Sequence, residues 1–389
     1  MFRRIKDIGH PDEPMLSVFR DYGVVLKNSR ENLNKTAENR NIYQLVHPGW
    51  LITNRMKAWQ GSVGISPHRG IVSGHYLCFA PTHCEHTGFL NWLFRSSAYT
   101  ASCKLLSRGV RPNQAEIDND GYRQMPVILP PVDEQLRIAD FLDHETAQID
   151  ALIAKQEQLI ETLRERRQAV LDTEFEALGA KRVQLRREIC FLTSGSRGWG
   201  DYYADQGERF LRIGNLPRTN LILRGGIQYV QLPPGVTEGS RTRLRRDDLV
   251  FSITAYLGSV AVVTDEWIGA YVSQHVALCR LDPSRFDSQF VGYFMLTTEG
   301  QDQLNLGAAG GTKIQLALDD IKALSVPLVP LGVQRKIVAS IEVQLSKIDA
   351  LVAKAEEFIG LARERRSALI TEAVTGRIDV STGKAREGA

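Results

Sequence analysis

An α+β architecture, two globules separated by two long antiparallel coiled-coil-like helices in a pseudo-two-fold internal repeat, follows from three features of the sequence. The segment IDALIAKQEQLIETLRERRQA, from Ile149 to Ala169, returns as IDALVAKAEEFIGLARERRSA, from Ile348 to Ala368, 199 positions later and without a gap. Around both copies glycine and proline become scarce, as a long helix requires. Each copy follows a stretch in which short alternating apolar runs are broken by turn residues, the pattern of strands.

Taken in chain order, residues 1–130 form a first globular domain. In it GWLITNRMKAWQGSVGIS precedes GIVSGHYLCF, which reads as an alternating strand, Gly61-Ser62-Val63, a second short strand and Val72-Ser73-Gly74-His75. Residues 131–179 are the first long helix, 180–329 the second globule, 330–378 the second long helix, and 379–389 a flexible tail. The second globule repeats the first, since DDLVFSITAYLGSVAVV precedes AYVSQHVALC. One departure stands out. The second globule opens with a full entry strand and loop, KRVQLRREICFLTSGSRGWGDYY, whereas the first begins MFRRIKDIGHPDEP. Either a short piece precedes Met1, or the first domain lacks an edge strand.

The helices are entered through VILPP, from Val127, and VPLVP, from Val326. At the same offset Pro131 meets Pro330, Gln135 meets Gln334, Ile138 meets Ile337, Asp150 meets Asp349 and Lys155 meets Lys354. Ile149, Ile153, Ile160, Leu163 and Val170, matched by Ile348, Val352, Ile359, Ala362 and Leu369, step by threes and fours along a coiled-coil seam. Gln156 and Ala355 fill the skipped position. Arg167 and Arg366 interrupt the seam, with stems that lie along apolar surface and heads left to water or to a glutamate. A homodimeric coiled coil would use the same pattern, but two copies in one chain favour an intramolecular pair. A helix of about 45 residues spans roughly 65 Å, long enough to serve as a ruler between two readers of one duplex.

Composition narrows the class. The chain has 389 residues, 43% hydrophobic and 24% charged, which is globular, and no apolar run long enough to span a membrane. The first residues lack the apolar centre of a signal peptide, and five scattered cysteines suit a reducing cytoplasm. A net charge of +3 leaves any DNA binding to local clusters such as SRTRLRR, with Arg241, Arg243, Arg245 and Arg246. Such a run also reads as a solvated face.

These residues together resemble the specificity subunit of type I restriction-modification systems. LPPVDEQLRIADFLDHETAQIDALIAKQ and VPLGVQRKIVASIEVQLSKIDALVAKA are similar to that family's two helices with their Pro-x-x-x-Gln entries. YQLVHPGWLITNRMKAWQGSVGIS, and ERFLRIGNL with DDLVFSITAYLGSVAVV, are similar to its target-recognition domains. The resemblance implies a non-catalytic reader of double-stranded DNA. Each recognition domain would read one half of a bipartite asymmetric target with an unread spacer, the first domain taking the 5′ half. It also implies two methyltransferase subunits and the ATP-driven restriction subunits as partners. S-adenosylmethionine, ATP and magnesium belong to those partners, with no cofactor in this chain. Gln135, Ile149, Ile153, Gln334, Ile348 and Val352 are the expected partner interface. The competing reading is a coiled-coil scaffold whose globules bind proteins or small ligands. A chain that is itself a methyltransferase is a third.

Direct readout needs side chains that reach base edges: Arg and Lys for guanine, Asn and Gln for adenine, Ser or Thr for either. Asn54, Arg55, Lys57, Trp59, Gln60, Gly61 and Ser62 supply such a set, against the plainer alternative of a surface hairpin whose Trp59 packs on its own domain. Thr254, Tyr256, Gly258 and Ser259 stand at the corresponding place in the second domain, with Arg241, Arg243 and Lys313 for phosphates. His75 and His275 follow the same Val-Ser in both copies, a placement that points to structure more than to base contact. His83, Cys84 and His86 lack the four-ligand spacing of zinc, so no metal is expected. GAAGGTKI, from Gly307, lacks the Gly-Lys-Ser/Thr ending of a phosphate loop, and neither an Asn/Asp-Pro-Pro-aromatic tetrad nor a Gly-x-Ser-x-Gly elbow occurs.

Overall fold

The repeat in the sequence is a repeat of topology in the computed structural model, which describes residues 1–29, 39–107, 116–117, 119–235, 238–254, 257–308 and 315–386. In the first half, β1 (Phe2–Ile5), β2 (Leu51–Asn54), β3 (Val63–Ile65) and β4 (Tyr76–Pro81) pair antiparallel in the order β1-β4-β2-β3. Helices α1 (Thr87–Arg95) and α2 (Ser97–Leu106) follow, and then the long α3 (Val132–Glu176). In the second half, β5 (Ile189–Ser194), β6 (Leu249–Ser252), β7 (Val260–Val262) and β8 (Val276–Leu281) take the order β5-β8-β6-β7. They are followed by α4 (Ser288–Met295), α5 (Thr298–Ala308) and the long α6 (Leu331–Val374).

Compactness divides the chain through the long helices rather than at their ends. Unit 1 joins Met1–Glu157 to Glu356–Ala389, and unit 2 is Gln158–Ala355. The boundaries drawn on sequence at 131–179 and 330–378 therefore separate helices that are part of each unit's core. In unit 1 Ile138, Leu142, Ile370 and Val374 pack with Phe89, Leu93 and Phe94; in unit 2 Leu171, Phe175, Ile341 and Leu345 pack with Phe290 and Phe294.

Within unit 1, Asp150 pairs with Arg366 (2.9 Å) and Glu157 with Arg363 (3.1 Å). Within unit 2, Asp349 pairs with Arg167 (2.6 Å), and Glu174 accepts from Ser340 (2.8 Å) and Gln344 (2.7 Å). As the residue number rises on α3 it falls on α6, so in each unit the two segments run antiparallel. The seam residues Ile149, Ile153, Ile160, Leu163, Ile348 and Ile359 are all buried. Each is worth about 1.5–3 kcal/mol over an exposed side chain. The apolar seam carries most of the burial that holds the segments together, and the charges set their register. Both seam arginines take aspartates as partners, not glutamates.

Two expectations about the ends change. Phe2–Ile5 pairs with β4, with Phe2 opposite Pro81 and Ile5 opposite Cys78, so the first domain does have an edge strand, where β5 stands in unit 2. In unit 2 a strand Arg182–Gln184 also pairs with Ser325–Pro327 just ahead of α6. Of the expected tail, residues 379–386 are described and make contacts, and 387–389 lie outside the described residues. Ile378–Asp379 pairs with Lys384–Ala385, and Arg386 donates to Glu134 at the start of α3 (2.9 Å).

The duplicated glutamine is the hinge pin of each unit. Gln135 is fully buried; it accepts from the backbone N–H of His86 (2.9 Å) and donates to the Pro130 carbonyl (2.8 Å). Gln334, equally buried, accepts from the N–H of Asp287 (2.8 Å) and donates to the Val329 carbonyl (2.9 Å). His86 and Asp287 are the N-caps of α1 and α4. One amide side chain thus joins the entry of each long helix to the first helix of its globule.

Candidate nucleic-acid interface

The Gly-Ser-Val sequence repeats because the turn after β2 and after β6 needs it. Gly61 has φ +90 and Gly258 φ +89, a left-handed conformation that a side chain strains. Each glycine is held from the second helix of its globule. Gln301 on α5 donates to the Gly258 carbonyl (3.0 Å), and Thr100 on α2 lies against Gly61. The serines that follow are buried, Ser62 at 8% exposure and Ser259 at 2%, and Ser62 donates to the Val18 carbonyl (3.0 Å). The Ser62 bond ties the turn to the domain, and Ser62 stands in the wall of the cleft described below.

In unit 1 the remaining candidates divide by what they touch. The Asn54 side-chain oxygen accepts from the N–H groups of Met56 (3.0 Å) and Lys57 (3.2 Å), so it builds the turn. Trp59 is half-buried, donates to the Met56 carbonyl (3.0 Å) and packs on its own domain core. Arg55 is exposed but paired with Glu116. Lys57 and Gln60 are exposed. Asn54, Lys57, Trp59 and Gln60 border a cleft of about 600 Å³ lined also by Phe19, Arg20, Tyr76 and Thr100. Burial, against bonds from Val18 and Asn54, pushes the Tyr76 phenol up from its ordinary value. Arg20, Tyr76 and Thr100 escaped the sequence reading because they come from three separate elements; only the exposed FRDYG hairpin around Arg20 carried a turn signal.

In unit 2, Thr254 is half-buried and its hydroxyl lies 3.1 Å from Nδ1 of His275, whose Nε2 is 3.1 Å from the Gln274 amide nitrogen. Both duplicated histidines are exposed, and both offer their backbone carbonyls to the facing strand: Arg55 N–H to His75 (3.1 Å) and Ile253 N–H to His275 (3.0 Å). The structural role suggested by the repeat belongs to the backbone, while the rings face solvent at the same edge as the turn. Arg241 donates to Thr193 (3.1 Å), and Arg243 donates to the Tyr271 hydroxyl (2.8 Å) and lies 4.7 Å from its ring. Arg243 and Arg246 also face Glu208 and Asp265, so the basic run is partly neutralised within its own unit. Tyr256 and Lys313 lie outside the described residues.

The expected partner-interface residues turn inward. Gln135, Ile149, Ile153, Gln334 and Ile348 are buried inside the chain's own units, and Val352 packs against the unit 2 core. In the His83, Cys84, His86 group, His86 Nδ1 accepts from Phe89 N–H (3.3 Å), the His83 ring sits on Phe2 with its centroid 4.6 Å away, and Cys84 is exposed. Burial lowers the His83 pKa. A second cavity, about 720 Å³ in unit 2, is lined by Asp172, Glu176, Glu299 and Asp302 and has the wrong charge for a nucleic-acid backbone. Among the described residues no helix is long and apolar enough to cross a membrane.

A β-turn-β edge thus recurs in each unit beside the same order of strands and helices. Residues 224–357 match the family model of the type I restriction modification DNA specificity domain. No curated protein matches the chain in sequence. Among solved structures, the chain is similar to one from work on the complex assembly and conformational transition of the type I R-M system. That likeness has a TM-score of 0.64 at 16% identity and covers 96% of this chain and 97% of that one. It is also similar to the HsdS subunit from Thermoanaerobacter tengcongensis, with a TM-score of 0.51 at 16% identity, covering 97% of this chain and 94% of that one. At such identity these likenesses establish the fold, two globular domains with two long helices.

Proposed function

We propose that the chain is the non-catalytic sequence-reading subunit of a type I restriction-modification complex. Unit 1 and unit 2 each read one half of a bipartite asymmetric target on double-stranded DNA, unit 1 the 5′ half, with unread bases between. The observation that carries this reading is the repeated edge, in which the same strand order, the same left-handed glycine and the same exposed histidine recur beside different side chains. One scaffold with two sets of presented groups suits two different half-sites. In unit 1 the reading groups are Lys57 and Gln60, with Arg20 beside them; in unit 2 they are Thr254, His275 and Arg241.

Two methyltransferase subunits and the restriction subunits are the proposed partners, and they carry S-adenosylmethionine, ATP and magnesium. Because the seam isoleucines are consumed internally, partner contact falls to the apolar residues the long helices leave outside. Leu152 and Leu159 are 47% and 43% exposed, and Leu351 and Phe358, at the equivalent repeat positions, 50% and 40%. Each pair is spaced by one heptad, the signature of a further helix docking on the surface.

The test is to express the chain with its methyltransferase and map methylated bases. A two-part motif with an unread spacer is expected. Changing Lys57 and Gln60 to Ala should relax one half and leave the other intact, at roughly 1–3 kcal/mol of discrimination for each bidentate bond to a base that the change removes. Loss of both halves from a folded protein would remove these residues from the reading surface.

A further inference from the structure

Each long helix ends its RERR run on an arginine that should, by the phase of the seam, be apolar. These two arginines, Arg167 and Arg366, are nearly buried, with 12% and 17% of the side chain exposed. Their ion pairs account for only part of the guanidinium. In unit 2, Arg167 gives Nη1 to Asp349 (2.6 Å) and Nε to the backbone carbonyl of Thr219 (3.0 Å). In unit 1, Arg366 pairs with Asp150 and lies 5.7 Å from the ring of Trp92. Arg95 lies 5.3 Å from the same ring and donates to the carbonyls of Arg20 (3.3 Å) and Asp21 (2.5 Å). Trp92 is itself fixed by its Nε1–H bond to Asp143 (2.8 Å).

The two carbonyl sites are equivalent places in the two units. Met15 bridges Ile71 in parallel in unit 1, as Phe210 pairs with Tyr271 in parallel in unit 2. From those bridges the chain runs on to Arg20-Asp21 in one unit and to Arg218-Thr219 in the other. All four of these loop residues are exposed, and Arg20 borders the same cleft as Lys57 and Gln60. The aspartate contacts set the register of the helix segments, whereas the bonds to loop carbonyls reach outside the helix pair. A guanidinium supplies both because its five donors point in several directions from one plane; an ammonium is a single point of charge.

We propose that Arg167 and Arg366 are positioning residues for recognition: each fixes its unit's loop, 218–220 or 20–21, to the helix segments of that unit, and so sets how the loop meets DNA. In unit 2 the tie is direct; in unit 1 it runs through Trp92 and Arg95. The inference rests on the DNA-reading function proposed above and adds to it residues that touch no base.

The test uses the full chain with its methyltransferase and the variants Arg167→Lys and Arg366→Lys, each read by genome-wide methylation mapping and by thermal unfolding. Lysine keeps a charge for Asp349 or Asp150 but cannot also hold the loop. Arg167→Lys is expected to leave the unfolding midpoint unchanged and to make at least one base of the unit 2 half degenerate, with about a tenfold loss of discrimination there and none in the other half. Arg366→Lys should do the reverse. Backbone amide exchange across 218–222 should also rise in Arg167→Lys alone, which reads the loop without DNA. Variants with wild-type discrimination at every base, or variants that relax both halves equally while folded, would overturn the proposal. A wild-type complex with no two-part motif would instead bring down the recognition reading itself, and this inference with it.

Discussion

Unit 2 is one continuous stretch, Gln158–Ala355, whereas unit 1 is closed from two pieces, Met1–Glu157 and Glu356–Ala389. Both nevertheless reach the same sheet order, the same pair of short helices and the same buried glutamine. What a fold requires is a set of complementary buried faces, and the order in which the chain delivers them is secondary. The order does affect how the unit is completed. The bond from Arg386 to Glu134 spans 252 positions, so unit 1 depends on contacts more distant in sequence than those of the continuous unit 2.

The junctions differ as well. Phe175 closes unit 2 against Phe290 (5.1 Å) and Phe294 (5.4 Å), and the residue at the same repeat position in unit 1 is Val374. Unit 1 compensates with Trp92, which stacks Arg95 and Arg366 where unit 2 has Tyr293 and a direct arginine bond. The second sheets diverge more. Tyr203–Ala204, Gln228–Val230, Glu208–Leu211 and Tyr271–Val272 make one sheet of unit 2, built around Trp199 and Phe210. In unit 1 the strands Gln44–Val46 and Gly70–Val72 pair apart from Leu16–Phe19 and Gly23–Leu26. The framework is shared and the presented surface is not, as two half-sites of different sequence would demand.

The largest effect should come from stopping the chain after Ala355. Unit 2 keeps every residue, whereas unit 1 loses Ile359, Ile370 and Val374 from its core. Amide exchange should show protection retained on β5–β8 and lost on β1–β4, a loss of more than about 5 kcal/mol in unit 1. Comparable protection in both units would show that the C-terminal piece is dispensable. Next, Phe175→Ala should cost about 3–5 kcal/mol and Val374→Ala about 2 kcal/mol, since the larger side chain leaves the larger cavity. Denaturant unfolding of the two variants compares them directly, and a reversed order would mean that the helix ends close the units by different packing.

Replacing Gln135 or Gln334 by Leu should cost nearly the same in either unit, on the order of 2–3 kcal/mol, because each strands an N–H and two acceptors, the Pro130 carbonyl and Glu85 in one and the Val329 and Arg285 carbonyls in the other. Unequal costs would break the equivalence of the two helix entries. The smallest effect is chemical. Burial pushes the thiols of Cys78, Cys103 and Cys279 up to about 12, so at pH 8 they remain protonated and unreactive, while Cys84 and Cys190 are exposed. Maleimide labelling followed by mass spectrometry should mark one site in each unit, with the other three appearing only on unfolding.

Much of this was written into the letters. A periodicity of threes and fours over a glycine-poor stretch can bury its apolar face only as a paired helix, so Ile149–Leu163 and its copy were legible as a seam. Gly-Ser-Val at equal places in both halves announced a turn whose glycine has no substitute. Which side of each element meets solvent was not legible, because that depends on segments far away in sequence. Ser62 is buried because Val18 reaches it, Asn54 is spent on its own turn, and Gln135 has the look of a surface residue until His86 and Pro130 close on it. Local pattern encodes the period and the breakpoints of an element. The partners of a hydrogen-bonding side chain are set by packing across tens or hundreds of residues, and it is those partners that decide whether Lys57 and Gln60, or Ser62 and Trp59, are left to meet DNA.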